Sequence, residues 1–184
     1  MAQRDPAARR YADAVFGIAS DSGDTAAFDR WLGDFDEIAQ LFAEPTVRDF
    51  LVSTRVSQEQ KEAVLDQALP DLQADARNLA KLLVRKRRVA LADQIGEAFR
   101  QRLNTVRNIT EASVVTAVPL SDDARLAVAE AVHRYTNAET VQLTESVDPD
   151  IIGGAVIQIG DRIIDGSVRT RLSTLRRSLA SGAA

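Results

Sequence analysis

The sequence predicts a mainly α protein: an N-terminal bundle of six helices over residues 1–106, then a small α/β domain over residues 107–184. Three observations carry this prediction. Up to about Asn104 the apolar residues recur every three or four positions, the spacing of one helix face. From Ile109 onward they alternate, the spacing of one strand face. Alanine and leucine dominate the composition and aromatic residues make up only 5%, a balance that favours helices.

In the bundle, Pro6 fits the first turn of a helix, where its missing N–H costs nothing. The inward stripe of that helix reads as Tyr11, Val15 and Ile18, with Ala8, Ala12 and Ala19 beside it, and Asp21-Ser22-Gly23 ends it. The second helix carries Phe28, Leu32, Phe35, Ile38 and Phe42, which would bury three aromatic rings. Pro45 opens a short third helix through Phe50 and Leu51. Ser57-Gln58-Glu59-Gln60 reads as a capping box before Val64, Leu65, Ala68 and Leu69. After Pro70, Leu72, Ala76, Leu79, Leu82 and Leu83 belong to the fifth helix, and Ile95, Phe99 and Leu103 to the sixth. The short connections imply antiparallel neighbours.

A linker is expected near Asn104 to Asn108. Beyond it, Ala112, Val114, Thr116 and Val118 form one alternating set, and Val141, Leu143, Glu145 and Val147 another. Between them Ser121-Asp122-Asp123 starts a helix with acids at its positive end and Ala124, Val128, Val132 and Tyr135 inward. Residues 155–159 and 162–165 read as a hairpin about Gly160-Asp161, a register that sets Ile157 opposite Ile164. Ser167 caps a last helix with Val168, Leu172, Leu175 and Leu179 on one face.

The composition excludes several functions. With no cysteine there is no disulfide and no thiolate site, and with His133 as the only histidine no His-rich metal site can form. No apolar run approaches the roughly 18 residues that span a bilayer, and the first six residues lack a signal-peptide core, so a cytosolic location is expected. A net charge of -4 argues against a general nucleic-acid binder. The basic run Arg85-Lys86-Arg87-Arg88 is the local exception. It reads as a helix terminus complementing backbone carbonyls, with a nucleic-acid patch as the alternative. His133 reads as structural. Asp148, Asp150, Asp161 and Asp165 are close in sequence but lack the spacing of a cation loop, and most fall in turns. Gly153-Gly154 lacks the companions of a phosphate loop and reads as a turn or bulge. The last helix is the best interaction candidate: Arg169, Arg171, Arg176 and Arg177 surround its leucines and suit acidic helices of another chain.

One resemblance organises these readings. The run Asp148-Pro149-Asp150-Ile151-Ile152-Gly153-Gly154, followed by residues 159–169 and Arg171-Leu172, resembles the C-terminal signature of the F-type ATP synthase delta subunit family. The mitochondrial counterpart is the oligomycin-sensitivity-conferring protein. Weaker matches follow in the right order: residues 10–15, Phe50-Leu51 with Lys61, and residues 116–120. Residues 85–88 depart from the family, whose members often carry a less basic turn there with Asn or Gly.

The resemblance implies a structural subunit with no catalytic residue, cofactor or metal. It would join the alpha/beta catalytic head to a peripheral stalk at the cytoplasmic face of the bacterial cell membrane, associated through the complex only and binding no nucleic acid. Proton flow would thereby be coupled to ATP synthesis. A groove between the first and fifth helices would receive N-terminal helices of alpha subunits, with Tyr11, Ala12, Val15, Ile18, Ala19, Leu79, Leu82, Leu83 and Lys86 as its candidate residues. The C-terminal domain would receive the b-type stalk subunit through Arg169, Leu172, Leu175, Arg176 and Leu179. The signature residues Asp148, Gly153, Gly154, Gly160, Asp161, Asp165, Gly166 and Ser167 are expected to shape the fold rather than touch a partner.

Overall fold

A computed structural model describes residues 5–181, and its two compact units divide after Leu103. The side chains of Leu175 and Leu179 lie outside the described residues, and with them those two expected stalk contacts.

The first unit comprises α1 (Pro6–Asp21), α2 (Thr25–Ala43), α3 (Pro45–Val52), α4 (Gln58–Ala68), α5 (Ala74–Arg85) and α6 (Ala92–Val106) as far as Leu103, with a 3-10 turn at Val89–Leu91. Local chemistry sets the helix starts. Asp5 and Asp24 cap α1 and α2 by accepting from Ala7 N and Ala26 N. At α4 the Ser57 hydroxyl accepts from Gln60 N while the Gln60 side chain accepts from Ser57 N, which satisfies two amides that the helix cannot. Lys61, almost fully buried, donates from Nζ to Ser53 O at 2.6 Å and so ties α4 to the end of α3.

Aromatic rings fill the centre of this unit. Phe99, with no exposed surface, meets Phe16 at 5.7 Å and Phe35 at 5.3 Å between centroids, and Phe16 meets Phe28 at 5.0 Å. Gly96 brings α6 close to α2, since a Cβ there would stand 3.2 Å from Phe35 Cβ. Three expectations are corrected here. On α1 it is Phe16 that points inward, while Ile18 is 48% exposed. On α2 Trp31 is buried and Phe28 and Leu32 only partly so. On α5 Leu82 faces outward, while Ala80 and Val84 join Leu79 and Leu83 in the core. In each case neighbouring positions satisfy the helical period nearly equally, and packing against the other helices decides which turns inward.

The second unit comprises β1 (Ile109–Thr116), α7 (Asp122–Thr136), β2 (Thr140–Val147), β3 (Ala155–Ile159), β4 (Arg162–Asp165) and α8 (Val168–Ser181). Its sheet has the order β2-β1-β3-β4. The β1–β2 pair is parallel, so the chain must cross over between them, and α7 is that crossover. Both other pairings are antiparallel, and Ile157 faces Ile164. Ala112, Val114 and Thr116 of β1 are buried, as are Val132 of α7 and Ala138. Tyr135, expected inward, is half exposed. Its hydroxyl accepts from Arg162 Nη1 at 2.8 Å, which holds the ring at the surface.

Candidate functional site

Two surfaces carry the residues singled out by the sequence, one on each unit. On the first unit, Tyr11 of α1 lies beside the residues that end α5. The Arg88 guanidinium sits 5.8 Å from the Tyr11 ring centroid, and its Nη1 donates to the Tyr11 hydroxyl at 3.4 Å. Helix α5 closes with Arg88 N on Leu83 O and Arg87 N on Val84 O, the paired bonds of a Schellman end, with Arg87 in the left-handed region at φ +55°.

The basic run is therefore partly spent on the fold. Arg85 grips Glu62 of α4 at two points, Nε to Oε1 at 2.7 Å and Nη2 to Oε2 at 2.9 Å. Those bonds from Arg85, with a further one from Gln58, hold the Glu62 carboxyl down at about 2. Arg88 is taken by Tyr11. Lys86 is exposed at the helix end.

Of the groove residues expected on α1 and α5, the structure buries Ala12, Val15, Ala19, Leu79 and Leu83 in the core. A guest cannot reach them. Ile18, Leu82, Lys86 and the half-buried Tyr11 remain accessible. Helix spacing puts Ala14, Gly17 and Ile18, all exposed, on one face of α1, and Leu82 with Lys86 on one face of α5. Sequence reasoning missed Gly17. A Cβ there would meet nothing within 4 Å, so no internal packing explains a glycine in mid-helix.

On the second unit the signature residues form hydrogen bonds within the fold. Asp148 N donates to Thr116 O, and the Asp148 carboxylate accepts from Asp150 N. Val168 N donates to Gly153 O, and Gly166 N to Ala155 O, both at 2.9 Å. The Asp165 carboxylate accepts from Thr170 Oγ1 and Ser167 N, bonds that hold it below the usual carboxylate range. Ser167 Oγ accepts from Thr170 N at the start of α8. Gly160 takes φ +56° in the hairpin loop, followed by exposed Asp161.

Helix α8 exposes 37% of Val168 and 53% of Leu172, and Arg169, Arg171 and Arg176 are exposed around them. None of these three arginines forms an ion pair among the described residues. His133 donates from Nδ1 to the Ala138 carbonyl just beyond its own helix. Among the described residues no group of three or more His, Cys, Asp or Glu is placed to hold a metal, and no helix is long and apolar enough to cross a membrane. What both surfaces offer is apolar contact with charged flanks, which is suited to helices of other proteins.

The family model described as ATP synthase delta (OSCP) subunit matches residues 7–179. A protein named ATP synthase subunit delta from Desulfotalea psychrophila is 35% identical over 175 residues, covering 94% of each chain. Another of that name, from Desulfovibrio desulfuricans, is 36% identical over 179 residues, covering 95% of this chain and 96% of its own. Among solved structures, a chain in the Toxoplasma gondii mitochondrial ATP synthase hexamer shares the fold with TM-score 0.66 at 20% identity, covering 96% of this chain and 98% of that one.

Proposed function

The chain belongs to the ATP synthase delta (OSCP) subunit family, and from that premise we propose that it is the connector between the catalytic head and the peripheral stalk of an F-type ATP synthase. The observation that carries the reading is the division of exposed apolar positions between two separate surfaces. Ile18 and Leu82 lie on the first unit, Val168 and Leu172 on the second. A protein with one partner needs one such face; a connector needs two.

In this reading the faces of α1 and α5 receive an alpha-subunit N-terminal helix, centred on Tyr11, Ile18, Leu82 and Lys86. The arginine-flanked face of α8 receives the b-type stalk subunit. The protein then sits at the cytoplasmic face of the bacterial membrane and attaches to it only through the complex. Two attachments in series raise the effective concentration of each contact, so modest individual affinities can hold a stator under load.

Reconstitution tests this. Stalk-bearing membranes stripped of head and connector are mixed with purified head, with and without the protein. Proton-driven ATP synthesis is expected only with it; equal coupling in its absence would refute the proposal.

A further inference from the structure

The loop that crosses from β2 to β3 contains an unusual residue. Ile152 has φ +69° and ψ -38°, a backbone state that β-branched side chains avoid because the Cβ crowds the carbonyl. Its neighbours impose the conformation. Ile152 N donates to Pro149 O, Ile151 is buried, and the next carbonyl, Gly153 O, is bonded to Val168 N. Yet the strained side chain packs on little, being 67% exposed. Strain that gains so little internal packing points to an external contact.

The surroundings say what kind. A Cβ on Gly153 would lie 3.3 Å from Val168 Cγ2, so the loop abuts the first apolar residue of α8. Val168 and Leu172, four apart, continue along that helix. At the same end of the sheet Val147 pairs with Thr116 and is 50% exposed, and Val118, two residues past Thr116, is 67% exposed.

Charge narrows the occupant further. Helix α8 carries four arginines and no carboxylate, and Arg169 and Arg171 stand in its first turn, against the helix dipole. Such a helix is completed by a partner that brings the missing acids. Asp148 and Asp150, exposed on the loop, would repel those acids and so mark where the acidic part of the partner must end.

We propose that Ile152 is an anchor that extends the α8 stripe of Val168 and Leu172 onto the loop, and that the combined surface takes an aliphatic helix flanked by Asp and Glu. The inference rests on reading α8 as the stalk-docking face. Full-length protein is titrated with the soluble part of its own b-type stalk subunit, using Ile152→Gly, Ile152→Asn, Ile152→Val and Leu172→Ser variants at low and high salt. Ile152→Gly and Ile152→Asn should each weaken binding roughly tenfold or more, a loss of about 1.4 kcal/mol. Neither should lower the melting temperature, and Ile152→Val should bind nearly as wild type. Salt should weaken the wild-type complex. Two distinct failures are possible. If Leu172→Ser loses binding while Ile152→Gly and Ile152→Asn stay within twofold of wild type, the anchor is refuted and the docking face stands. If wild type does not bind, or Leu172→Ser binds equally well, both fall; binding indifferent to salt overturns the acidic partner.

Discussion

The carbonyl oxygen of Gly166 lies 2.5 Å from the point where a Cβ on Gly154 would stand. Gly154 also has φ +80°, so two independent reasons demand glycine there. The close approach lets the strand β3 and the start of α8 share the Gly166 N–Ala155 O and Val168 N–Gly153 O bonds. Gly154→Ala should destabilise the second unit by roughly 2–4 kcal/mol, from left-handed strain plus displaced backbone. Amide hydrogen exchange across residues 109–170 would measure it. Unchanged protection there would refute the account.

Val15 and Ile18 separate folding from docking on α1. Val15 is 4% exposed, so Val15→Asp puts an unpaired carboxylate in the core and should cost more than about 3 kcal/mol. Its effect on a partner would say nothing about a groove. Ile18→Ser, at a 48% exposed position, should leave stability within about 0.5 kcal/mol while weakening binding of an alpha-subunit N-terminal peptide. Calorimetry gives the affinity. Fluorescence of Trp31, the sole tryptophan and a core residue, follows unfolding of the first unit.

Features whose cause is local could be read from the sequence. The Ser57–Gln60 capping box and the hairpin register that faces Ile157 with Ile164 each need only a few adjacent residues. Which apolar positions turn inward is a different question. Phe16, Phe28 and Phe99 come from three helices, and their mutual contact, not the period of any one helix, decides that Phe16 is buried and Ile18 is not. The candidate site suffered for the same reason: five of nine expected groove residues, among them Leu79 and Leu83, are core. Ile152 gave no clear sign in the sequence, because its φ is fixed where its N–H donates to Pro149 O and where Val168 N–H, far along the chain, donates to the adjoining Gly153 O. Gly17 did leave a signal, a glycine inside a strong helical pattern.

Gly17→Ala should distinguish a packing cost from a docking need. The added methyl meets open space, and alanine favours a helix interior over glycine by roughly 0.5–1 kcal/mol, so the variant should be more stable by about that amount. If a guest helix packs closely on the Ala14, Gly17 and Ile18 face, the same methyl should weaken its binding. A gain in stability with unchanged affinity would show that this face of α1 is not the contact.

Arg87 occupies the left-handed position of the α5 terminus, where glycine is the usual residue. Its side chain makes no ion pair among the described residues, so Arg87→Gly should remove strain and lose little else. An increase of roughly 0.5–1 kcal/mol in stability is expected from denaturant unfolding monitored at Trp31. A decrease would mean that the arginine supports the fold in some other way. The same variant tests the nucleic-acid alternative, since loss of salt-sensitive retention on DNA or RNA would require such retention to exist in the wild type.

Glu62 makes the α4–α5 contact sensitive to acid, beside the second bridge from Asp66 to Lys81. Its carboxyl stands at about 2 in the folded protein against an ordinary 4.5, because Arg85 and Gln58 hydrogen-bond the charged form. A folded value below the unfolded one gives stability that is fully present above about pH 4.5 and is lost as pH falls toward 2. Arg85 is 57% exposed, so solvent screens the pair and its contribution is about 1 kcal/mol, well short of what the shift alone would give. Glu62→Gln should therefore lower stability at neutral pH by about that amount and flatten the acid limb of the Trp31 unfolding profile between pH 4.5 and 2. Arg85→Gln should do the same, and the double variant should lose no more than either single one, which is the signature of a shared interaction. Additive losses would place the acid sensitivity on other carboxylates.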